Sequence, residues 1–141
     1  MRWRKVLEDP KVHALAFEPG EEAIETLTRF VREQKISGAH FSGIGGFRQA
    51  TLGYFEIALK EYRRIHVREQ VEVMSFLGNI SLYDGEPRIH AHVVLGKADG
   101  SAIGGHLIAG EVRPTLELFV TETATLERVM DEVSGLPKLK P

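Results

Sequence analysis

The residues best suited to chemistry in this sequence are histidines: His90 and His92 in His-Ala-His, and His106 in Gly104-Gly105-His106. Imidazole nitrogens ligate divalent metal ions. Zinc is the leading candidate, other divalent metals being open to the same donors, and a three-histidine site leaves a position for water or a substrate. In the segment Arg88 to Leu95 the odd positions are all apolar, while the even ones carry Arg88, His90 and His92, with Val94 the exception. Side chains alternate across a strand, so both histidines point away from the face formed by Ile89, Ala91, Val93 and Leu95.

Whether His106 joins them depends on one turn. A two-residue Asp99-Gly100 turn places His106 on the face opposite His92. A three-residue Ala98-Asp99-Gly100 loop, with Gly100 in the left-handed position of a bulge, pairs Lys97 with Ser101. Leu95 then meets Ile103, Val93 meets Gly105, and His92 stands opposite His106. Only this register keeps the apolar residues on one face, and a one-residue slip would expose them all. Three imidazoles on neighbouring strands, about 5–8 Å apart, can converge on one ion.

The same bookkeeping extends to the flanking segments. A Gly110-Glu111 turn would pair Ala109 with Val112, so that His106 faces Thr115 and Gly104 faces Glu117. A loop over residues 84–87 would pair Tyr83 with Arg88, setting Asn79 beside His92 and Ser81 beside His90. Glu117 is thereby a candidate fourth ligand, outer partner or general base, and so the candidate catalytic residue. Gly104 and Gly105 leave room beside the site for a ligand or another backbone.

These residues need strands to hold them, and the chain supplies them. Its 141 residues, 43% hydrophobic and 27% charged, suit one domain spanning 1–141, with a core over 10–122 and a tail over 123–141. Val12 to Phe17 reads as a first strand. From Glu21 to Gln34, Ala23, Ile24, Leu27, Phe30 and Val31 recur at helical spacing, with acidic residues first and basic residues last, as the helix dipole favours. Further strands are expected over 39–44, 49–57, 63–68, 71–82, 88–97, 101–109 and 112–121. Leu126, Val129, Met130 and Val133 predict a short C-terminal helix stopped by Gly135 and Pro137. One main helix and an antiparallel meander make the class α+β, a largely antiparallel β-sheet with an N-terminal helix.

Composition excludes several functions. No cysteine means no disulfide, thiolate metal site or thiol nucleophile. No apolar run reaches the length of a membrane span, and Met1 to Lys5 does not lead into a signal-peptide core, so a cytoplasmic protein is expected. A net charge of −2 argues against sequence-independent DNA binding. Gly43-Ile44-Gly45-Gly46-Phe47 has the look of a phosphate loop, yet no Gly-Lys-Ser/Thr follows, and a turn or packing point is the simpler reading. Arg63, Arg64, His66 and Arg68 form a basic strand edge flanked by Glu61 and Glu69. His13, His40 and Trp3 stand alone and read as packing residues.

Taken together and in order, Phe41 to Gly46, Leu52 to Phe55, Glu72 to Asn79, His90-Ala91-His92, Gly104 to Leu107 and Pro114 to Glu117 resemble the PPC domain, the plant and prokaryote conserved domain. The resemblance implies an α+β fold assembled as a homotrimer. It also implies a metal site at His90, His92 and His106, and our reading is that this site binds or acts on a small molecule. Prokaryotic members are often called predicted DNA-binding proteins after plant relatives with an AT-hook, whereas this chain has no Arg-Gly-Arg-Pro hook. A regulatory module acting through trimerisation and partner binding is the alternative role.

Overall fold

The computed structural model describes residues 1–8 and 10–140, residues 2–8 through their backbone only. The elements run β1 (Arg2–Glu8), β2 (Lys11–Phe17), α1 (Ala23–Glu33), β3 (Ala39–Glu56), β4 (Glu61–Val67), β5 (Val71–Tyr83), β6 (Glu86–Gly96), β7 (Ala102–Glu122), β8 (Glu127–Asp131) and β9 (Leu136–Lys140). The chain is α+β, one helix against a largely antiparallel sheet, as expected.

The helix forms where its apolar spacing and its cap agree. Glu22 occupies the N-cap, its carboxylate accepting from the backbone N–H of Ile24 at 3.2 Å and of Glu25 at 2.6 Å. Ala23, Leu27, Phe30 and Val31 are buried on one side. The helix ends where Lys35 turns left-handed, with Ile36 N–H donating to the Val31 carbonyl.

Two long strands organise the sheet. β7 pairs with β2, β3 and β6, and β3 pairs with β4, β5 and β7. Because β6 pairs with both β5 and β7, the path β3, β5, β6, β7 closes back on β3. The enclosed face is apolar: Phe41, Phe76, Ala91, Val93, Leu95, Leu107, Leu116 and Leu118 are all buried there, and α1 adds its own apolar stripe.

Three expectations are corrected. The segments 101–109 and 112–121 are not two strands with a turn at Gly110 but one, β7, running straight through. Gly110 is buried instead of turning: a Cβ there would lie 2.7 Å from the Phe47 ring, and its N–H donates to Glu22 Oε1. Likewise 39–44 and 49–57 fuse into β3. Its glycines allow β7 to approach, since a Cβ on Gly43 would sit 2.4 Å from the Glu117 carbonyl oxygen and one on Gly46 2.4 Å from that of Arg113. Finally, the C-terminal segment is a hairpin of β8 and β9 rather than a helix. Asp131 accepts from Ser134 N–H at 2.8 Å, Gly135 takes φ of 72°, and Val129, Met130 and Val133 remain exposed, so their spacing never meets a core.

Candidate metal centre

The β6–β7 hairpin sets the geometry. Gly100 has φ of 82°, its N–H donates to the Lys97 carbonyl, and Lys97 N–H donates to the Ser101 carbonyl at 2.8 Å. Asp99 accepts from the Ser101 N–H and hydroxyl, fixing the three-residue loop. His92 consequently pairs with His106, Val93 with Gly105 and Leu95 with Ile103. The three expected histidines come together on the outer face of the sheet.

Their ring centroids form a near-equilateral triangle. His90 lies 5.1 Å from His92 and 5.4 Å from His106, with His92 and His106 5.5 Å apart. The Nε2 atoms of His90 and His92 are 3.2 Å apart, and one nitrogen from each of the three rings falls within 4.8 Å of the others. The Nδ1 of His106 is buried without a hydrogen-bond partner among the described residues. A buried polar atom left unpaired is costly, and a metal bond at Nδ1 is one partner that would satisfy it. Burial pushes the His106 pKa down to about 4, helped by the neighbouring charges of His90, His92 and Arg88. His90 is lowered too, first by burial and then by Arg128, His92 and Arg88. Both rings are thus held neutral near pH 7, the state in which imidazole ligates a metal. The donor set, its spacing and its protonation fit a divalent ion.

Two neighbours were not legible in the sequence. Tyr62 on β4 stacks on His106 with centroids 4.8 Å apart and planes at 29°. Gly53, paired with His106 across β3 and β7, makes this possible, since a Cβ there would lie 2.7 Å from the Tyr62 ring. A glycine inside a strand was the available signal. Arg128, on β8, donates to Ser81 Oγ at 2.8 Å, Asn79 Oδ1 at 2.6 Å and the Pro137 carbonyl at 2.8 Å.

The flanking register differs from expectation. Asp84 and Gly85, with φ of 51° and 79°, form a two-residue left-handed turn, so Tyr83 pairs with Glu86, Asn79 with His90 and Ser81 with Arg88. A two-residue slip preserves the face, so Asn79 and Ser81 still share it with the histidines. Glu117 does not join them. It lies eleven residues beyond His106 on the uninterrupted β7, paired with Ala16 and Ile44, beside a cleft of about 380 Å³ that Met74 and Thr115 also line. Nor does His106 face Thr115. Gly104 and Gly105 admit another backbone rather than a ligand: Cβ atoms there would lie 2.9 Å from the Val93 carbonyl oxygen and 3.0 Å from that of Gly53.

The remaining candidates have structural settings. His13 is buried, with Nε2 2.7 Å from Glu122 Oε1 and its ring edge-on to Phe30. His40 is exposed on β3, and the Trp3 side chain lies outside the described residues. On the basic strand β4, Arg63 pairs with Glu56 and lies over the Tyr54 ring, while His66 meets Thr51. No helix among the described residues is long and apolar enough to cross a membrane.

The profile of the Plants and Prokaryotes Conserved (PCC) domain, also written PPC, matches residues 4–124. The chain belongs to this family. As a PPC chain it is similar in fold and sequence to a metal-containing protein of Archaeoglobus fulgidus, 37% identical over 93% of this chain and 94% of that one, with a TM-score of 0.86. A PPC protein of Pyrococcus horikoshii is 35% identical, covering 90% of each chain, with a TM-score of 0.83. A protein of Bacteroides thetaiotaomicron, named as a candidate DNA-binding protein, is 26% identical over 99% of this chain and 96% of that one, with a TM-score of 0.93. Among curated proteins, the bifunctional protein GlmU of a Synechococcus strain is 31% identical over 101 residues. The match covers 71% of this chain but 15% of the curated relative.

Proposed function

We propose that this PPC chain is a metal-binding protein in which His90, His92 and His106 hold one divalent ion, zinc by preference, open to a small ligand. The convergence of three imidazoles carries the reading, one with a buried, unpartnered nitrogen and two with lowered pKa values. The metal-containing name of the Archaeoglobus fulgidus relative supports it. Such an ion supplies Lewis acidity to an oxygen-bearing ligand. The chain's own part is to hold three neutral rings in place, with Tyr62 covering one face of His106. Elemental analysis of untagged protein should find about one zinc per chain and a His92→Ala variant should lack it. Stoichiometric metal in that variant would overturn the ligand set.

A homotrimer is part of this reading. Phe119, Ser42, Leu77, His92 and His106 are successive cross-strand neighbours on the outer face. Phe119 is 56% exposed, Leu77 54% and the adjacent Ile44 62%. Exposed apolar side chains such as Phe119, Leu77 and Ile44, grouped on one sheet face, are what a subunit interface covers. Sedimentation of the full chain should give three times the mass of one chain, and Phe119→Glu should lower it.

The alternative is a regulatory module that binds DNA or a protein through the assembled surface, which the name of the Bacteroides thetaiotaomicron relative favours. A gel shift at about 150 mM salt separates the two, because purely electrostatic binding by a chain of net charge −2 should vanish there.

A further inference from the structure

Beside the histidines stand two guanidinium groups with no counter-ion among the described residues. Arg88 shares the outer face of β6 with His90 and His92, and Arg128 reaches the same place from β8. Neither takes part in any ion pair among the described residues. The charge that weighs on Arg128 is that of Arg88, and no carboxylate offsets it. Surface arginines without partners are ordinary, but Arg128 is half-buried and clamped. Ser81 Oγ, Asn79 Oδ1 and the Pro137 carbonyl accept from Nε, Nη2 and Nη1 in turn, and Ser81 is itself fully buried. A guanidinium has five N–H groups, so this clamp uses three and leaves two, one on each terminal nitrogen.

A small cavity of about 80 Å³ lies among Tyr62, Arg88, His90, His106, Arg128 and Pro137. It accommodates a headgroup of a few heavy atoms. Concentrating two cations there is unfavourable, and a divalent ion on the histidines would add to the same sign. The arrangement is stable with an anion between them, and a fork of two N–H donors suits two oxygens of one oxyanion. We propose that this cavity is an oxyanion subsite. Arg128 and Arg88 hold a carboxylate or phosphate of a small molecule and present the rest of it to the three-histidine centre. The proposal builds on the metal-binding reading and gives that site its ligand class. Arg128 is a binding residue held in aim by Ser81 and Asn79, and the C-terminal hairpin is the arm that carries it.

Calorimetric titration of the full chain tests this, with inorganic phosphate and acetate as probes and glycerol as the uncharged control. It is run on zinc-loaded and metal-free protein with zinc content measured in parallel. The unmodified chain should bind at least one anion and not glycerol. Phosphate alone points to phosphate esters, acetate alone to carboxylic acids. Arg88→Gln and Arg128→Gln should each weaken the anion by about tenfold or more while zinc content stays unchanged. Arg128→Lys, which keeps charge but loses the fork, should restore only part of the affinity. Arg88 is exposed and makes no hydrogen bond among the described residues, so Arg88→Gln decides the matter if Arg128→Gln fails to fold. Binding of neither anion, or unchanged affinity in the Arg88 variant, would overturn the subsite. A chain that holds no zinc overturns the metal reading separately, and the metal-free titrations still decide the anion.

Discussion

Replacing His106 by alanine should separate the metal-bound protein from the metal-free one in opposite directions. A ligand that binds only the folded chain stabilises it by RT ln(1 + [L]/Kd), about 2.7 kcal/mol when zinc stands at a hundred times its Kd. Unfolding entropy of roughly 2.1 cal/mol/K per residue over 141 residues makes each kcal/mol worth ~3 °C, so zinc should raise the Tm by about 9 °C. Even an outer hydrogen-bond partner of a ligand is worth ~10–100-fold in metal affinity, and a ligand itself at least as much. At the same zinc concentration His106→Ala should therefore retain no more than ~0.4 kcal/mol of the effect at the upper end of that range, a shift of about 1 °C. The metal-free proteins should behave otherwise. His106 is lowered to about 4 by burial and by the charges of His90, His92 and Arg88, against 6.5 for a free ring. Between those values the unfolded chain binds a proton that the folded chain refuses. The ring's contribution is therefore fully present above pH 6.5 and is lost as pH falls toward 4. Metal-free His106→Ala should lose less stability over that interval than the unmodified chain. Differential scanning calorimetry at pH 7.5 and 5, with zinc and with chelator, reads both effects. A zinc-dependent shift of several degrees surviving in His106→Ala would refute the assignment of that ring.

Three further outcomes follow from the packing. Glu117→Gln should leave zinc content and the zinc-dependent Tm shift unchanged, since Glu117 lies with Ile44 and Ala16 and not with the histidines; elemental analysis and calorimetry check it. Gly78→Ala should destabilise by about 1–3 kcal/mol in urea titrations, because its Cβ would lie 2.3 Å from the His90 carbonyl oxygen and 2.4 Å from Phe41 Cζ. The displaced His90 strand should also bind zinc more weakly. Glu22→Ala should cost about 1–2 kcal/mol by the same titration, as it removes the cap of α1 and leaves the buried Gly110 N–H without its acceptor.

The histidine cluster was legible because each step in reading it has a strong local cause. Parity put His90 and His92 on one face, and Gly100 in the left-handed region chose the loop that brought His106 opposite. Reading failed where one residue type serves two physical ends. Gly110 looked like a turn because glycine tolerates tight backbone, but it is required there by the Phe47 ring pressed against it, so β7 continues and Glu117 is carried away. Asp84-Gly85 formed the tighter of two plausible turns, shifting Asn79 from His92 to His90 without changing its face. At the C-terminus, helical spacing of apolar residues meant nothing without a surface to bury them. The Asp131-to-Ser134 contacts and Gly135 imposed a hairpin instead. Arg128 and Tyr62 were invisible because they reach the site from elements that only the closed sheet brings near.

The threading of β7 between β2, β3 and β6 has a consequence for biosynthesis. The histidines lie on two adjacent strands, yet β7 is fixed along its length by residues 12–17 at one end of the chain and 39–53 in its middle, and Arg128 arrives later still. No N-terminal fragment that stops short of Glu122 holds His106 on a fully paired β7. His106 leaves the exit tunnel before the second half of β7 exists to anchor it, and contacts so distant in sequence form slowly. Were the histidines to hold a metal, its capture would await the completion of β7, the strand that carries His106 and is anchored by β2, β3 and β6.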